Sequence, residues 1–246
     1  MKGTIEIAIP VLNEEAHLEK QILKILFYIN EKLPDYNITI VIADNGSTDK
    51  TPEIAKKISL NQKIRFITTK EKGVGRALKK AWTSSTADIV GYMDLDLATD
   101  INSLQKALNK LLYENYVIVN GSRYLPSSKI INRKLHRGII SRIFNSFLKI
   151  LFFSKITDGM IGFKFLKKEF LPIILNNGAV SNGWIFCSEF LIVGEYLNLP
   201  IKEISVRWED DQSSKVKIFK LTIEYLRALI NLKIRFMKKK LKKYEK

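Results

Sequence analysis

The amino-acid sequence predicts an α/β fold built on a doubly wound, Rossmann-like, mostly parallel sheet, with amphipathic helices near the C-terminus of the chain. Three observations predict it. Short apolar segments alternate with amphipathic segments through the first half of the chain, and polar clusters follow the apolar segments. The length of 246 residues is enough for one large α/β domain.

The first β-α-β unit consists of two buried strands and the helix between them. Residues 5–11 and 38–43 are β-branched and nearly all apolar, which is typical of strands buried on both faces of a parallel sheet. Residues 17–33 carry apolar side chains at helical spacing. The alternation continues with a helix, a strand, a helix and a strand at 51–59, 64–68, 75–83 and 89–93. Ligands of such a sheet bind beyond the carboxyl ends of its strands.

After Leu125 the alternation is less regular. No linker or internal repeat is visible, so we expect one domain over residues 1–220 with two halves divided at residue 125, and an amphipathic helix with a basic tail at 221–246. The second half is predicted to begin with a basic stretch at 129–142, a helix that ends at Phe153 and a glycine-punctuated region at 158–183. A helix at 185–197, a strand at 201–208 and an amphipathic helix at 216–236 are predicted to follow.

Positive charge is concentrated in the second half of the chain. The sequence has 41 Lys and Arg against 25 Asp and Glu, and of the formal net charge of +16, residues 1–125 contribute +2 and residues 126–246 contribute +14. The second half is therefore expected to face an anionic partner. The candidates are nucleic acid, an acidic lipid surface and a phosphorylated substrate, and charge alone does not distinguish them. We expect no nucleic-acid partner, because no binding motif for one is present.

The composition also excludes several classes of protein. The single cysteine, Cys187, cannot form an internal disulfide, which favours a reducing compartment. The N-terminal residues do not have the pattern of a secretory signal. The best apolar run, residues 143–153, contains Lys149 and is far shorter than the roughly 18 apolar residues that a spanning helix needs. If the chain meets a membrane, we expect it to lie on the surface.

Two carboxylates, Asp94 and Asp96, end the last strand of the regular half. A divalent cation that holds a diphosphate needs hard oxygen ligands and open positions for phosphate oxygens, which a pair at this spacing can supply. The alternative is a solvated turn capped by Asp96.

Three further polar loops follow strands of the same predicted sheet. Residues 10–15 (PVLNEE) and 44–49 (DNGSTD) follow the first two strands, and residues 72–77 (KGVGRA) open the helix after the third. Asp44 could accept hydrogen bonds from a base or a ribose, although the segment could equally be an Asx turn with Thr48 or Asp49 as the helix cap. The third loop could contact a diphosphate, but it matches neither the Walker loop nor the three-glycine dinucleotide motif.

These four loops, in this order, resemble the family 2 glycosyltransferases, which have a nucleotide-sugar-binding A-type fold. The similarity continues through the second half, where the motifs resemble those of the polyprenyl-phosphate hexosyltransferases and, among them, the dolichyl-phosphate β-glucosyltransferase branch. The resemblance makes residues 1–125 the half that binds the nucleotide sugar and 126–220 the half that binds the acceptor. The second-half segments that carry it are GSR at 121–123, DGMIGFK at 158–164, WIF at 184–186 with Glu189, VRW at 206–208 and SKV at 214–216.

The resemblance implies a role for particular residues. A divalent cation, Mg²⁺ or Mn²⁺, is expected on Asp94 and Asp96, and the catalytic residues are expected to be Asp96, Arg123 and Arg137. The donor would contact Pro10, Asn13, Glu14, Asp44, Gly73, Arg76 and Asp94. The phosphate of the acceptor would contact Arg123, Arg137, Ser141, Arg207 and Lys215, with Arg133 and Arg142 as equally basic neighbours.

The reaction implied is inverting transfer of glucose from UDP-glucose to dolichyl or a related polyprenyl phosphate. Leu97, Ala98 and Thr99 after the carboxylates resemble the residues that the glucosyltransferase branch has there, whereas the mannose synthases more often have Gln in place of Ala98, so the resemblance favours glucose. Two alternatives stay open: mannose from GDP-mannose onto the same acceptor, and transfer to a saccharide. The second would require a carboxylate base, for which Asp158 and Glu189 are the candidates.

Two positions depart from the family pattern. Asn45 stands where a second Asp is usual, and Cys187 stands where an Asp often precedes Glu189. The expected location is the cytoplasmic face of a membrane, as a peripheral protein. The apolar helix at 143–153, the amphipathic helix at 216–236 and the Lys-rich tail would contact anionic lipid; the alternative is that both helices simply pack on the sheet.

Overall fold

The computed structural model of the chain describes residues 3–210 and 218–244, and in the last helix the side chains of 225–238. A seven-stranded sheet forms its centre, in the order β3-β2-β1-β4-β7-β5-β8. All strands of this sheet run parallel except β7, which is antiparallel to both neighbours. The strands are β1 (Thr4–Val11), β2 (Asn37–Asp44), β3 (Ile64–Thr68), β4 (Ile89–Met93), β5 (Ile118–Ser122), β7 (Phe163–Lys167) and β8 (Ile201–Ser205).

A second, two-stranded sheet lies beside the carboxyl ends of the parallel strands. It pairs β6 (Lys129–Ile131) with β9 (Arg207–Glu209) in parallel. Because β9 follows β8 after Val206 alone, the strand predicted over 201–208 is two strands that belong to different sheets.

Helices cover both faces of the large sheet. One face packs on α1, α2 and α4 and the other on α3, α5, α6, α7 and α8, which gives two separate apolar cores. The periodicity of the sequence explains the layers: α1 buries Leu18, Ile22, Ile25, Leu26 and Ile29 on one stripe. The helices are α1 (Leu18–Lys32), α2 (Thr51–Ile58), α3 (Val74–Thr83), α4 (Ser103–Leu112), α5 (Leu135–Phe152), α6 (Leu171–Asn176), α7 (Phe186–Tyr196) and α8 (Ile218–Tyr244).

The doubly wound, mostly parallel sheet confirms the predicted fold class. The structure adds α4 and β5, which the pattern of the sequence did not indicate, and places β7 inside the glycine-punctuated region. β7 lies between β4 and β5, so a segment of the second half completes the sheet of the first. Across the two described ranges, no helix is both long and apolar enough to cross a membrane.

Candidate active site

The loops after β1 and β2 are joined by side-chain hydrogen bonds. The backbone N–H of Asn13 donates to the Ser47 hydroxyl over 2.9 Å, and the Asn13 side-chain oxygen accepts the N–H of Thr48 over 2.8 Å. The N–H of Glu14 donates to the Thr51 hydroxyl. Pro10, Asn13 and Glu14 therefore lie at one edge with the loop after β2, as expected for a donor site, and their contact with a donor stays a prediction.

Asp44 lies buried at the end of β2. Its carboxylate accepts hydrogen bonds from the Ser47 N–H over 3.1 Å and from the Thr68 hydroxyl over 2.6 Å. The structure thus uses Asp44 to order its own loop and to hold the end of β3. Its neighbour Asn45 is also buried, and the Asn45 side-chain oxygen accepts the backbone N–H of Gly73. The residue that departs from the family pattern therefore joins two of the polar loops.

The two glycines of the third loop allow another segment to pack closely on it. Gly73 has φ +150°, and a β-carbon there would lie 2.5 Å from the carbonyl oxygen of Asn182. A β-carbon on Gly75 would lie 2.5 Å from that of Phe186. Arg76 forms an ion pair with Glu71 over 2.6 Å and donates to the carbonyl of Lys72. Both contacts therefore hold Arg76 within the segment that the sequence predicts to contact the diphosphate.

Asp94 follows β4, and its carboxylate lies against Gly162. The Asp94 N–H donates to the Gly162 carbonyl over 3.2 Å. Burial, and then the neighbouring charge of Asp96, raise the pKa of Asp94 to about 7, while Lys164 and Arg123 act in the opposite direction. Asp96 is exposed and accepts the N–H of Ala98 over 2.9 Å.

The two aspartates fit a divalent cation. Burial and, after it, the neighbouring Asp96 carboxylate disfavour the negative charge of Asp94, which a cation would stabilise, and carboxylate oxygens are the hard ligands that Mg²⁺ and Mn²⁺ prefer. Among the residues that the structure describes, no group of three or more His, Cys, Asp or Glu side chains is placed to hold a metal ion. Asp94 and Asp96 would therefore be the protein ligands of such an ion, and its other positions would go to diphosphate oxygens and water.

The loop that carries the aspartates is held by β9. Glu209 N–H donates to the Ala98 carbonyl over 2.8 Å, Asp100 N–H donates to the Arg207 carbonyl over 2.9 Å, and Thr99 forms a bridge with Trp208. The other edge of β9 pairs with β6. A single short strand thus lies between the carboxylate loop and the basic second half.

Arg123 and Asp158 form a buried ion pair beneath this strand. Arg123 Nε and one terminal nitrogen donate to the two carboxylate oxygens of Asp158 over 2.6 and 2.8 Å. Burial alone would raise the pKa of Asp158, but the Arg123 guanidinium outweighs it and holds that pKa below its usual value. Arg123 also lies 3.4 Å from the Ser141 hydroxyl, so the predicted pair of Arg123 and Ser141 is brought together.

A buried polar network that the sequence analysis did not identify supports this ion pair. Lys164 of β7 donates to the Asn120 side-chain oxygen over 2.8 Å and to the Ile161 carbonyl over 2.6 Å. Asn120 donates to the Asp158 carbonyl and to Glu203, whose carboxylate also accepts the N–H of Asp158. Burial lowers the pKa of Lys164 to about 8. The one signal in the sequence is a lysine between two phenylalanines, at the second position of FKFLK.

Aromatic rings gather three arginines at the mouth of the site. The guanidinium carbons of Arg123 and Arg133 lie 5.0 and 5.3 Å from the ring centre of Trp208, and those of Arg123, Arg133 and Arg142 lie 5.7 to 5.9 Å from that of Tyr124. The Tyr124 hydroxyl donates to Ser141 over 2.8 Å and accepts a hydrogen bond from Arg133 over 3.0 Å. Arg133 and Arg142, the basic neighbours of the predicted acceptor residues, are therefore part of this cluster.

Of the other predicted acceptor residues, Arg137 adjoins this cluster through Arg133. Arg137 forms an ion pair with the buried Asp210 over 3.0 Å, while its carbonyl accepts a bond from Arg133. Arg207 is exposed and adjoins Trp208 in β9, so alternation along the strand directs it to the opposite face. Lys215 lies outside the described residues.

Glu189 and Cys187 both lie buried in α7. The Glu189 carboxylate accepts bonds from the N–H and hydroxyl of Ser181 over 2.8 and 2.6 Å, and burial raises its pKa. Burial raises the pKa of Cys187 to about 12, so its sulfur is a neutral thiol. Neither geometry resembles an activated nucleophile.

Comparisons with known proteins identify the family of the chain. The family model described as Glycosyl transferase family 2 matches residues 6–173. Dolichyl-phosphate beta-glucosyltransferases of Dictyostelium discoideum and Homo sapiens are each 28% identical, over 95% of this chain and 75% and 76% of their own lengths. Glycosyltransferase AglD of Haloferax volcanii is 27% identical over 87% of this chain, which spans only 34% of that protein.

The fold is also similar to that of a solved enzyme. Glucosyl-3-phosphoglycerate synthase from Mycobacterium tuberculosis, crystallised with Mn²⁺, uridine diphosphate and phosphoglyceric acid, matches with a TM-score of 0.67 at 17% identity. The match covers 94% of this chain and 78% of the other. At this identity the likeness concerns the course of the backbone.

Proposed function

The chain belongs to glycosyl transferase family 2, and from that premise we propose that it transfers glucose from UDP-glucose to the phosphate of dolichol or a related polyprenol. It is a glycosyltransferase enzyme with the predicted A-type fold. The product proposed is the β-linked lipid phosphate sugar. The observation that carries this proposal is that β9 joins the carboxylate loop to an arginine cluster on aromatic rings, in which Arg123 is buried.

On the donor side, Asp94 and Asp96 would hold Mg²⁺ or Mn²⁺. When bound there, the cation would neutralise charge that develops on the departing nucleoside diphosphate. Asp44 and the loops after β1 and β2 would bind the nucleoside, and Gly73 and Arg76 would lie along the diphosphate. The hydrogen bond between Asn45 and Gly73 keeps these loops together.

On the acceptor side, the arginines around Tyr124 would hold the lipid phosphate. Asp158 and the network beneath it fix Arg123, and Arg133 stacks on the same tryptophan ring. Guanidinium groups suit this task because their planar arrangement of N–H groups donates two parallel bonds to phosphate oxygens. Arg137, Arg207 and Lys215 remain proposed contributors.

The state of the buried carboxylates supports a phosphate acceptor over a saccharide. A phosphate oxygen is anionic at neutral pH and can attack C1 of the sugar, on the side opposite the nucleotide, without a general base. Asp158 is held in its ion pair with Arg123, and Glu189 is occupied by Ser181. Neither is placed to take a proton from a sugar hydroxyl.

The proposed location is an anionic membrane surface, on the cytoplasmic face, where such an acceptor resides. Apolar side chains are exposed along α5 and α8, where a protein that stayed in water would place polar ones. The exposed residues are Leu135, Ile139, Ile143, Ile150 and Phe153 at α5 and Ile230, Ile234 and Met237 of α8.

A transfer assay tests the proposal. The purified protein with Mn²⁺ or Mg²⁺ is given a polyprenyl phosphate and either UDP-glucose or GDP-mannose, and lipid-linked sugar is measured. We expect transfer from UDP-glucose, lost in Asp96→Ala and retained in Asp35→Ala, an exposed carboxylate between α1 and β2. Transfer from GDP-mannose alone would show that the proposed sugar donor is wrong. If the protein binds nucleotide but transfers sugar from neither donor, the proposal of a lipid-phosphate acceptor is refuted.

A further inference from the structure

A groove lies at the opposite end of the sheet from the candidate active site, where β8 begins. Its volume is about 930 Å³, within the range of sites that hold small molecules. The end of α5, the end of α7, the start of β8 and the later part of α8 form its walls. None of the residues assigned above to donor, cation or acceptor lines it.

Aromatic and aliphatic side chains form much of the groove. The ring of Phe236 in α8 stacks on Tyr196 with centres 4.0 Å apart and meets Phe152 edge-on at 5.9 Å. Phe153 and Met237 at the rim are 85% and 57% exposed. Because these two residues also belong to the exposed apolar rows of α5 and α8, the groove opens onto the surface proposed to meet the membrane.

Lysines are the cations of the groove. Lys233 donates to the carbonyl of Leu151 over 2.7 Å and lies over the rings of Phe152 and Phe153. Within the described part of the chain, Lys155 and Lys202 make no ion pair with a carboxylate. The Lys202 ammonium lies over the ring of Tyr116, 5.7 Å from its centre, and since a ring contact leaves the charge intact, both lysines keep a positive charge for a ligand.

The two acidic residues of the groove are already occupied. Glu195 accepts bonds from the Ser154 hydroxyl and from the N–H of Lys155. Glu203 accepts bonds from the N–H and hydroxyl of Thr157 and from Asn120. Hydrogen bonds leave these two carboxylates charged, so an anion that enters the groove meets a net positive charge because Lys155, Lys202 and Lys233 outnumber them.

We infer that this groove binds one anionic phospholipid, with its acyl chains against the aromatic side chains and its phosphate beside Lys155 and Lys202. Aromatic side chains and lysines together favour this class of ligand. A free phosphate cannot bury apolar surface against the aromatic side chains, and a zwitterionic lipid is attracted less strongly by the lysines. The inference rests on the membrane-surface location proposed above and is independent of the sugar that is transferred.

Calorimetric titration with dihexanoyl phosphatidylglycerol, below its micelle concentration, tests the site. We expect saturable binding of one lipid, weakened about tenfold or more in Lys155→Gln/Lys202→Gln because two cations are lost. The matched control is Lys24→Gln/Lys56→Gln, which removes the same charge from exposed positions on α1 and α2 and should bind as the wild type does. Dihexanoyl phosphatidylcholine and inorganic phosphate should bind much more weakly.

Several results would overturn the inference. The inference fails if the wild type does not bind the lipid, or if the groove variant binds it as tightly as the wild type does. It also fails if the control variant loses as much lipid affinity as the groove variant, or if inorganic phosphate binds as tightly as the lipid. A transfer assay in neutral detergent separates this site from the enzyme reaction. The groove variant should keep wild-type transfer there, whereas failure of the wild type to transfer would refute the proposed function and leave the lipid titration unaffected.

Discussion

Gly162 lies directly against the carboxylate of Asp94, in a position where any β-carbon would overlap that side chain. The contact exists because β7 inserts antiparallel to β4 and brings residue 162 opposite residue 94. Asp94 is therefore positioned by a residue that is distant in the sequence and that has no side chain of its own.

Gly162→Ala should displace the Asp94 carboxylate and reduce affinity for Mn²⁺ with UDP by about tenfold or more, because a misplaced ligand loses part of its coordination. Calorimetric titration measures this affinity, and thermal unfolding establishes that the variant folds. Gly138→Ala is the control, since its β-carbon has only one neighbour, at 4.0 Å. Unchanged binding by a folded Gly162→Ala would contradict the assignment of Asp94.

Asp158→Asn should destabilise the protein by roughly 3–5 kcal/mol, because it leaves the buried guanidinium of Arg123 without a counter-charge. Urea unfolding followed by circular dichroism measures the loss. The comparison is Glu114→Gln, which breaks the partly exposed ion pair with Lys110 and should cost about 0.5 kcal/mol or less. Equal costs for the two variants would show that Asp158 carries no buried charge.

The stability of the protein should depend on pH through Lys164. Burial lowers its pKa from 10.5 to about 8, so between these values the unfolded chain holds a proton that the folded chain has released. Stability from this group therefore rises with pH in that window, and the cost of burying the charge is fully present below pH 8.

Lys164→Met isolates this contribution, since the high pKa of Cys187 opposes it equally in both proteins. Relative to the variant, the wild type should gain about 2 kcal/mol of unfolding free energy from pH 7.5 to 9.5. Urea titrations at the two pH values measure this difference. A difference that stays constant, or that falls with pH, would show that Lys164 is not desolvated.

Arg133→Gln should raise the KM for polyprenyl phosphate more than Arg207→Gln does. Arg133 shares the ring of Trp208 with Arg123, whereas Arg207 lies exposed on the other face of β9. Losing one charged contact with the phosphate predicts an effect of about tenfold. Initial rates at saturating donor provide the comparison, and a larger effect of Arg207→Gln would place the acceptor phosphate on the opposite face.

Ile143→Glu/Ile150→Glu should weaken binding to anionic liposomes without affecting the fold. Both side chains are well exposed, at 63% and 76%, so charge there costs little in water and much at a lipid interface. Flotation with liposomes measures binding. Leu23→Glu/Phe27→Glu, which changes exposed apolar residues of α1, is the control, and equal loss in the two variants would argue against α5 as the contact surface.

Local pattern predicted the regular first half of the chain closely. The strands predicted at 64–68 and 89–93 have the same bounds in the structure. Each is a short apolar run between polar segments, so consecutive residues alone indicate a buried strand. β5 and β7 were not recognised. β7 contains lysines, and its Lys164 can be buried because the side chain of Asn120, in β5, and the nearby Ile161 carbonyl accept hydrogen bonds from its ammonium group.

The sequence by itself determined the alternating α/β architecture, the carboxylate pair at 94 and 96 and the concentration of basic residues after residue 125, since each depends on composition or short-range spacing. Tertiary structure alone decided which of those groups meet. Pairing of Arg123 with Asp158, of Arg137 with Asp210 and of Gly162 with Asp94 depends on where distant strands dock. Neighbouring basic residues look alike in sequence, and only the positions of buried partners distinguish them.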